Sequence, residues 1–162
     1  MPMSIALRRW LLRLLKLPPR LVYAIGPGTA YGRFVLLLTT NGRRTGEPRV
    51  TPLQYEQVNG KFVVASARGA RADWYLNAVA DPRVEVRVGR SRFSGVAETC
   101  SDPHRIADFL ELRLERHPRM VGRMLRLRGV PVNPTRAELE TYASRLAMVT
   151  ITPQRRNEHS LP

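Results

Sequence analysis

The chain has 162 residues and a mass of 18.4 kDa, which fits a single domain. Apolar residues make up 43% and charged residues 25%, so the composition indicates a globular protein and excludes a disordered one. The net charge is +14, and Lys16 and Lys61 are the only lysines, so arginine supplies most of the positive charge. This favours an anionic partner, which could be nucleic acid, an anionic membrane surface or a charged small molecule.

Cysteine, histidine and apolar runs exclude several further classes. Cys100 is the single cysteine, which excludes an intrachain disulfide, and the three histidines are too far apart to predict a metal site. No apolar run approaches the roughly 18 residues that span a bilayer, and basic residues interrupt the leucines near the N-terminus. We therefore expect a cytoplasmic protein.

Residues 4–17 are predicted to form an amphipathic helix that ends at Pro18. Arg9, Arg13, Lys16 and Arg20 fall on one face, and leucines cover the opposite face. One interpretation is peripheral contact of residues 4–20 with an anionic membrane. The other is a first helix that packs on the core and leaves its arginines in water.

The middle of the chain has the composition and alternation of β-strands. Asn59-Gly60 predicts a hairpin turn, Pro52 places its strand at a sheet edge or at a bulge, and Gly95 is expected to interrupt another strand. The predicted strands are Phe34–Thr40, Arg49–Glu56, Lys61–Ala67, Arg83–Val88, Ser91–Thr99 and Met148–Thr152.

Capping signals predict four helices among these strands. A short helix over Asp73–Val79 is expected to be capped by Asp73, and Asp102 is expected to cap Pro103–Arg116. A third helix begins at Pro118 and ends at Gly129, and Thr135 and Glu138 form the capping box of a fourth that ends near Leu146. The result is an α+β barrel domain over residues 1–153, with a helical insertion at 102–146 and a flexible tail at 154–162.

The turn from Gly42 to Arg49 is the most informative segment. It joins two predicted strands and contains Arg43, Arg44 and Arg49, with the Thr45 hydroxyl as a further donor. Turn amides and guanidinium groups together form a receptor for anions. A basic hairpin tip in water is the competing interpretation.

A second basic set recurs every three or four residues and consists of Arg116, Arg119, Arg123 and Arg126. It could be a solvated helix face, one wall of an anion groove, or a surface that contacts membrane or nucleic acid. Nucleic acid is the least favoured partner, because no aromatic residues alternate with these arginines.

Several motifs in order resemble the deazaflavin-dependent nitroreductase family. They run from Phe34 to Val88 and comprise Leu36-Leu37-Leu38-Thr39-Thr40-Asn41-Gly42-Arg43-Arg44-Thr45-Gly46, Arg49, Thr51-Pro52-Leu53, Tyr55, Val63-Val64-Ala65-Ser66, Gly69, Trp74-Tyr75, Asn77, Asp81-Pro82 and Val84-Glu85-Val86. The resemblance implies a split β-barrel related to FMN-binding proteins, with six to seven mostly antiparallel strands and peripheral helices. It also implies coenzyme F420 as hydride donor to a small electron-poor acceptor of the quinone or nitro-compound type.

The resemblance also implies roles for individual residues. Arg43, Arg44, Thr45 and Arg49 would hold the phosphate and acidic tail of the coenzyme. Thr51, Pro52 and Tyr55 would line the deazaflavin ring, with Ser66 and Ala67 nearby and Trp74 and Asn77 shaping the pocket. Apart from the resemblance, the hypothesis of a reductase gives the product a proton from solvent or from Tyr55, which is the one catalytic candidate.

Some features depart from that family and leave alternatives open. Residues 102–146 carry arginines where the quinone- and nitro-reducing members carry tyrosines. Related split barrels bind FMN, fatty acids or tetrapyrroles, so a non-catalytic binder of such a ligand is the alternative function. Barrels of this kind also form homodimers, which makes a second copy an expected partner.

Overall fold

The structure, a computed structural model, describes residues 34–154. Six strands close into an antiparallel barrel in the order β1-β2-β3-β6-β5-β4, and β4 pairs back onto β1. The strands are β1 (Val35–Asn41), β2 (Pro48–Val58), β3 (Lys61–Ser66), β4 (Arg83–Val88), β5 (Ser91–Cys100) and β6 (Ala147–Pro153). The six predicted strands are confirmed to within two residues at each end. The predicted helix at 4–17 and all but the first residue of the predicted tail lie outside the described residues.

Four α-helices lie between the strands: α1 (Asp73–Ala80), α2 (Pro103–Arg116), α3 (Pro118–Leu127) and α4 (Arg136–Ala143). A 3-10 turn over Gly69–Arg71 precedes α1. The Asp102 side chain accepts from the His104 amide, and the capping box of Thr135 and Glu138 is formed in both directions, so both predicted caps are confirmed. The prediction for Asp73 is wrong, because Ala72 occupies the cap position and makes no side-chain hydrogen bond there.

Two apolar cores stabilise the barrel, one inside it and one between its outer face and the helices. The first fills the barrel interior and contains Leu36, Leu38, Val64, Val86 and Val149 among its fully buried members. The second lies between the outer face of β3 and β6 and the helices that follow β5, and it contains Val63, Cys100, Ile106, Leu110, Val121, Leu125, Leu139 and Met148. Cys100 is thus a buried packing residue of the second core.

Strand β2 divides its pairing between two neighbours. Its first part, Pro48 to Gln54, pairs with β1, and its last part, Tyr55 to Val58, pairs with β3. Pro52 lies opposite Leu37 in the part that pairs with β1. Pro52 therefore lies in a part of β2 that pairs with one neighbour, although the strand as a whole belongs to a closed barrel.

Strand β5 continues through Gly95, so the predicted interruption is wrong. The glycine is required for a different reason, which is the close approach of β6. A Cβ built on Gly95 would lie 2.7 Å from Ile151 Cγ2 and 3.0 Å from the Thr152 carbonyl oxygen. Any larger residue would push the two strands apart.

A buried ionic cluster joins the barrel to the helices. Glu56 on β2 is 7% exposed and faces the guanidinium of Arg113 on α2, which is 6% exposed, with Nε and Oε1 3.3 Å apart. Arg116 and His117 approach the same carboxylate at 3.6 and 3.2 Å. Arg113 also donates to the side chain of Gln54. The cluster fixes the end of α2 against β2.

Candidate functional site

The turn between β1 and β2 holds its shape through its own backbone. The Gly42 amide donates to the Glu47 carbonyl at 2.8 Å, and the Gly46 amide donates to the Gly42 carbonyl at 2.7 Å. Gly46 has a φ of +71°, a conformation that glycine adopts without strain. The Thr45 hydroxyl oxygen accepts from the Glu47 amide at 3.3 Å. The turn therefore presents its arginines from a defined backbone.

Arg43 is held by the first helix of the described chain. Its guanidinium donates to Asn77 Oδ1 at 3.0 Å and to Asp73 Oδ1 at 3.0 Å, and its backbone amide donates to the same Asn77 oxygen at 3.2 Å. The side chain is only 27% exposed. These bonds to one short helix lock the turn onto α1.

Asn77 is itself fixed from within the barrel. It is 3% exposed, and its Nδ2 donates to the hydroxyl of the buried Thr40 at 3.2 Å. A continuous chain of polar contacts therefore runs from β1 through Asn77 to the Arg43 guanidinium. Each buried polar atom in this chain has a partner, as buried polar groups require.

The other two arginines of the turn are freer than Arg43. Arg49 makes one ion pair with Glu47 at 3.2 Å, and both side chains are more than half exposed. Arg44 is exposed and makes no hydrogen bond or ion pair with any residue in the described range 34–154. An exposed ion pair is worth little, so both guanidinium groups are available to an incoming anion.

These residues enclose a cleft of about 480 Å³ between the turn, β2 and α1. Its volume lies within the usual range for sites that bind small molecules. Seven of the eleven residues that the sequence predicted as cofactor-binding line it: Arg43, Arg44, Thr45, Arg49, Thr51, Trp74 and Asn77.

The other four predicted residues lie elsewhere, on β2, on β3 and just after β3. Ser66 is 3% exposed and pairs with Ala147 on β6, whereas Ala67 is exposed just beyond the end of β3. Pro52 is half-buried on β2. These positions do not line the cleft, so their predicted contacts with the coenzyme stay predictions.

Tyr55, the catalytic candidate, packs against the barrel core. Its ring lies 5.6 Å from the ring of Phe62, centre to centre, in a tilted arrangement. Burial of the phenol and, second, the charge of the neighbouring Glu56 raise the pKa of Tyr55 above its ordinary value. The phenol therefore keeps its proton at neutral pH, but it lies outside the cleft.

Three lining residues were not predicted: Gly42, Val50 and Asp73. Asp73 bears the carboxylate that pairs with Arg43, and that side chain is 81% exposed. Its position at the start of a helix suggested a cap, and the ion pair depends on a contact 30 residues away in the sequence. No local pattern reports such a contact.

The cleft combines a cationic rim with an apolar wall. Arg44 and Arg49 supply unneutralised or weakly paired charge, while Trp74, 8% exposed, and Val50 supply a hydrophobic surface. Such a site suits a ligand with an anionic group at one end and a flat or apolar group at the other.

A family model matches the part of the sequence that forms this cleft. The model of the F420H(2)-dependent quinone reductase family matches residues 23–133, which is more than half of the chain. The chain belongs to the F420H(2)-dependent quinone reductase family. All residues that line the cleft fall inside the matched range. The resemblance to deazaflavin-dependent reductases is thereby confirmed at the level of the family.

Individual relatives agree with this membership. An F420H(2)-dependent quinone reductase of Mycobacterium tuberculosis (strain H37Rv) is 38% identical over 72 residues, which cover 43% of this chain and 48% of that protein. An F420H(2)-dependent quinone reductase of M. tuberculosis strain CDC 1551 matches this chain with the same identity and the same coverage. The chain spans about half the length of the curated relatives it matches.

Solved structures show the fold. A conserved hypothetical protein from M. tuberculosis superimposes with a TM-score of 0.54 at 20% identity, covering 75% of this chain and 74% of that chain. A structure described as a domain-swapped dimer superimposes with a TM-score of 0.51 at 25% identity, covering 84% and 95%. The expected split β-barrel is confirmed. Among the described residues, no helix combines the length and apolar character that a bilayer crossing requires.

Proposed function

We propose that this member of the F420H(2)-dependent quinone reductase family is a reductase that binds coenzyme F420 and passes a hydride to a small electron-poor acceptor, such as a quinone. The observation that carries the proposal is the cleft beside the β1–β2 turn, where two available arginines stand next to a buried indole. Family membership gives the class of coenzyme, and the cleft supplies groups that suit it.

The residues of the cleft fit a coenzyme that joins a flat ring to a phosphate and an acidic tail. Arg44 and Arg49 would bind the anionic groups. Arg43 is bound to Asp73 and Asn77 and would keep the turn in position. Thr51 and Trp74 would lie towards the ring. The reduced deazaflavin would supply the hydride when bound, and these residues would orient it and exclude water from one side.

Protonation of the reduced acceptor completes the reaction, because a quinone that accepts a hydride also takes up a proton. Solvent is the first source, since the cleft is open. Tyr55 keeps its proton at neutral pH but packs on Phe62 outside the cleft. A Tyr55→Phe variant would separate the two sources, because loss of turnover without loss of coenzyme binding would assign the proton to Tyr55.

A binding panel tests the proposal. The protein is titrated with F420, FMN and NADPH under fluorescence detection, and consumption of reduced F420 is then followed with a soluble quinone. We expect binding of F420 in preference to the other two, and turnover only with the quinone present. A flavin, fatty acid or tetrapyrrole found by mass spectrometry in the purified protein, with no F420 affinity, would favour the non-catalytic alternative.

The assembly and the location of the protein are separate proposals. The barrel resembles a protein solved as a domain-swapped dimer, and this supports a homodimer that light scattering would detect. A cytoplasmic location follows from the sequence only. Peripheral membrane contact by residues 4–20 rests on their basic face in the sequence, since they lie outside the described residues.

A further inference from the structure

The exposed face of α3 carries an unusual group of arginines. Segment 117–135, which comprises His117, α3 and the loop that follows it, has no Asp or Glu. It contains Arg119, Arg123, Arg126 and Arg128, all exposed. None of the four makes a hydrogen bond or ion pair through its side chain with any residue of the described range. We call these four residues and their exposed apolar neighbours the α3 surface.

Other arginines of the described chain show that this is not the general condition. Arg83, Arg105 and Arg136 each pair with at least one carboxylate, and so do the two arginines at the end of α2. These carboxylates of the described residues are thus paired on other elements, and no such pair forms with the four arginines of segment 117–135. Like charges on one short helix repel each other, so an anionic partner would stabilise this surface.

Helical geometry places the charge on one side. Val121 and Leu125 are 0% and 1% exposed and anchor α3 in the second core. Arg119, Arg123 and Arg126 follow one another at spacings of four and three, which aligns them on the opposite side. Together with Leu127 they border an open depression of about 610 Å³. The arginines therefore converge on a common space.

Large apolar side chains project beside the arginines. Leu127 is 78% exposed, Met120 is 39% exposed, and Val132 in the following loop is 66% exposed. An isolated exposed apolar residue has no special meaning, but here three stand within thirteen residues of the same basic segment. Arginines flanked by exposed aliphatic side chains match an interface between anionic headgroups and acyl chains.

We propose that the α3 surface docks the protein on an anionic lipid bilayer, with the arginines on headgroup phosphates and Leu127 in the acyl boundary. Nucleic acid fits less well, because the α3 surface has no aromatic side chain on which a base could stack. The segment at 1–33 does not suit this surface either, since it contains six basic residues and no Asp or Glu. The inference is independent of the proposed reductase activity.

Vesicle co-sedimentation tests the docking surface. The full-length protein is mixed with vesicles of phosphatidylcholine alone, or of phosphatidylcholine and phosphatidylglycerol at 7:3. We expect binding to the anionic vesicles only, and weaker binding as salt is raised. The triple variant Arg119→Gln, Arg123→Gln, Arg126→Gln should bind roughly five-fold more weakly per arginine, on the order of 100-fold in all.

Two further variants decide how the result is interpreted. The triple variant Arg68→Gln, Arg71→Gln, Arg90→Gln removes the same charge from exposed positions that do not belong to α3 and should bind like wild type. Leu127→Ser keeps the charge and should weaken vesicle binding several-fold while leaving oligonucleotide binding unchanged. Equal losses in the two arginine variants, an undiminished α3 variant, or an unaffected Leu127→Ser would each overturn the proposal.

Discussion

Neighbouring arginines in one turn have different chemical situations, although the sequence shows them as a uniform basic run. Arg43 is bound to Asp73 and Asn77 and its charge is already partnered. Arg44, next in the chain, has no side-chain partner among the described residues, and Arg49 has an exposed and weak one. The three therefore differ in what they contribute, with Arg43 shaping the turn and the other two offering charge.

Removal of Arg44 tests this division of roles. Because a hydrogen bond to a charged group contributes about 1.5–3 kcal/mol, we expect Arg44→Ala to weaken F420 binding by about 10-fold or more. The loss should be largest at low ionic strength. Fluorescence titration at two salt concentrations measures both effects. Arg90→Ala, at an exposed position on the β4–β5 hairpin, is the matched control, and an equal loss there would indicate a general effect of charge.

Asn77 offers a test of the polar chain that fixes Arg43. Asn77→Leu leaves the Thr40 hydroxyl and the Arg43 guanidinium without their shared partner, and we expect about 1–3 kcal/mol lower stability together with weaker F420 binding. Asn77→Asp can still accept from Arg43 and from the Thr40 hydroxyl. It should therefore restore coenzyme binding. Failure of this rescue, measured by titration on a folded variant, would show that the contacts do not position the turn.

At the scale of the element, the strands and helices follow from local signals and their positions in the barrel do not. The alternation of Arg83–Val88 predicted β4 to the residue, and Asp102 and Thr135 marked the starts of α2 and α4. The role of Asp73 and the burial of Ser66 depended on elements far away in the chain. Gly95 was noticed as a strand breaker, whereas its real role is to admit β6. The candidate site follows the same rule. Its basic turn was evident in the sequence, but the carboxylate of Asp73 that pairs with Arg43 was not.

Gly95 makes the approach of β5 and β6 testable. A methyl group there would lie 2.7 Å from a side-chain atom and 3.0 Å from a backbone oxygen, so Gly95→Ala should destabilise the fold by about 1–3 kcal/mol. Gly122 on α3 is the matched control. Its Cβ would meet nothing within 4 Å, and alanine in a helix should stabilise by about 0.5–1 kcal/mol. Urea denaturation gives both values, and destabilisation of equal size at both sites would contradict the close-approach argument.

At the scale of the whole molecule, two acidic side chains connect elements that are distant in sequence. Glu56 joins β2 to the end of α2 from a buried position. Asp81 joins the end of β1 to the start of β4, since its carboxylate accepts from Asn41 at 2.8 Å and from Arg83 at 2.9 Å. With 13 acids against 27 basic residues, each paired carboxylate also relieves repulsion within the chain.

The Glu56 cluster should be costly to break from one side. Glu56→Ala leaves the buried Arg113 without its counter-charge, and we expect about 3–5 kcal/mol lower unfolding free energy. The control is Glu98→Ala, which breaks the exposed pair with Arg105 and should cost about 0–1 kcal/mol. Chemical denaturation compares the two. A loss at Glu56 no larger than at Glu98 would mean that water replaces the buried pair.

The contribution of Asp81 to the stability of the fold depends on pH. Hydrogen bonds to the carboxylate hold the pKa of Asp81 well below its ordinary value of about 3.8. The side-chain bond from Arg83 is the largest cause, and the bond from Asn41 is the second. A carboxyl with a lowered pKa in the folded state stabilises the fold fully above its unfolded pKa. That contribution is lost as the pH falls below about 3.8 towards the folded value.

The variant Asp81→Asn removes this titration while keeping the shape of the side chain. We expect it to have a lower melting temperature than wild type at pH 6, because the charged bonds to Arg83 are weakened. The difference should shrink as the pH falls below about 4, since the carboxyl of the unfolded wild-type chain then takes up a proton and the charged bonds of the folded state contribute progressively less stability. Thermal melts between pH 2 and pH 7 test this. A difference that stays constant over that range would mean that Asp81 acts through its shape alone and that its charge does not close the barrel.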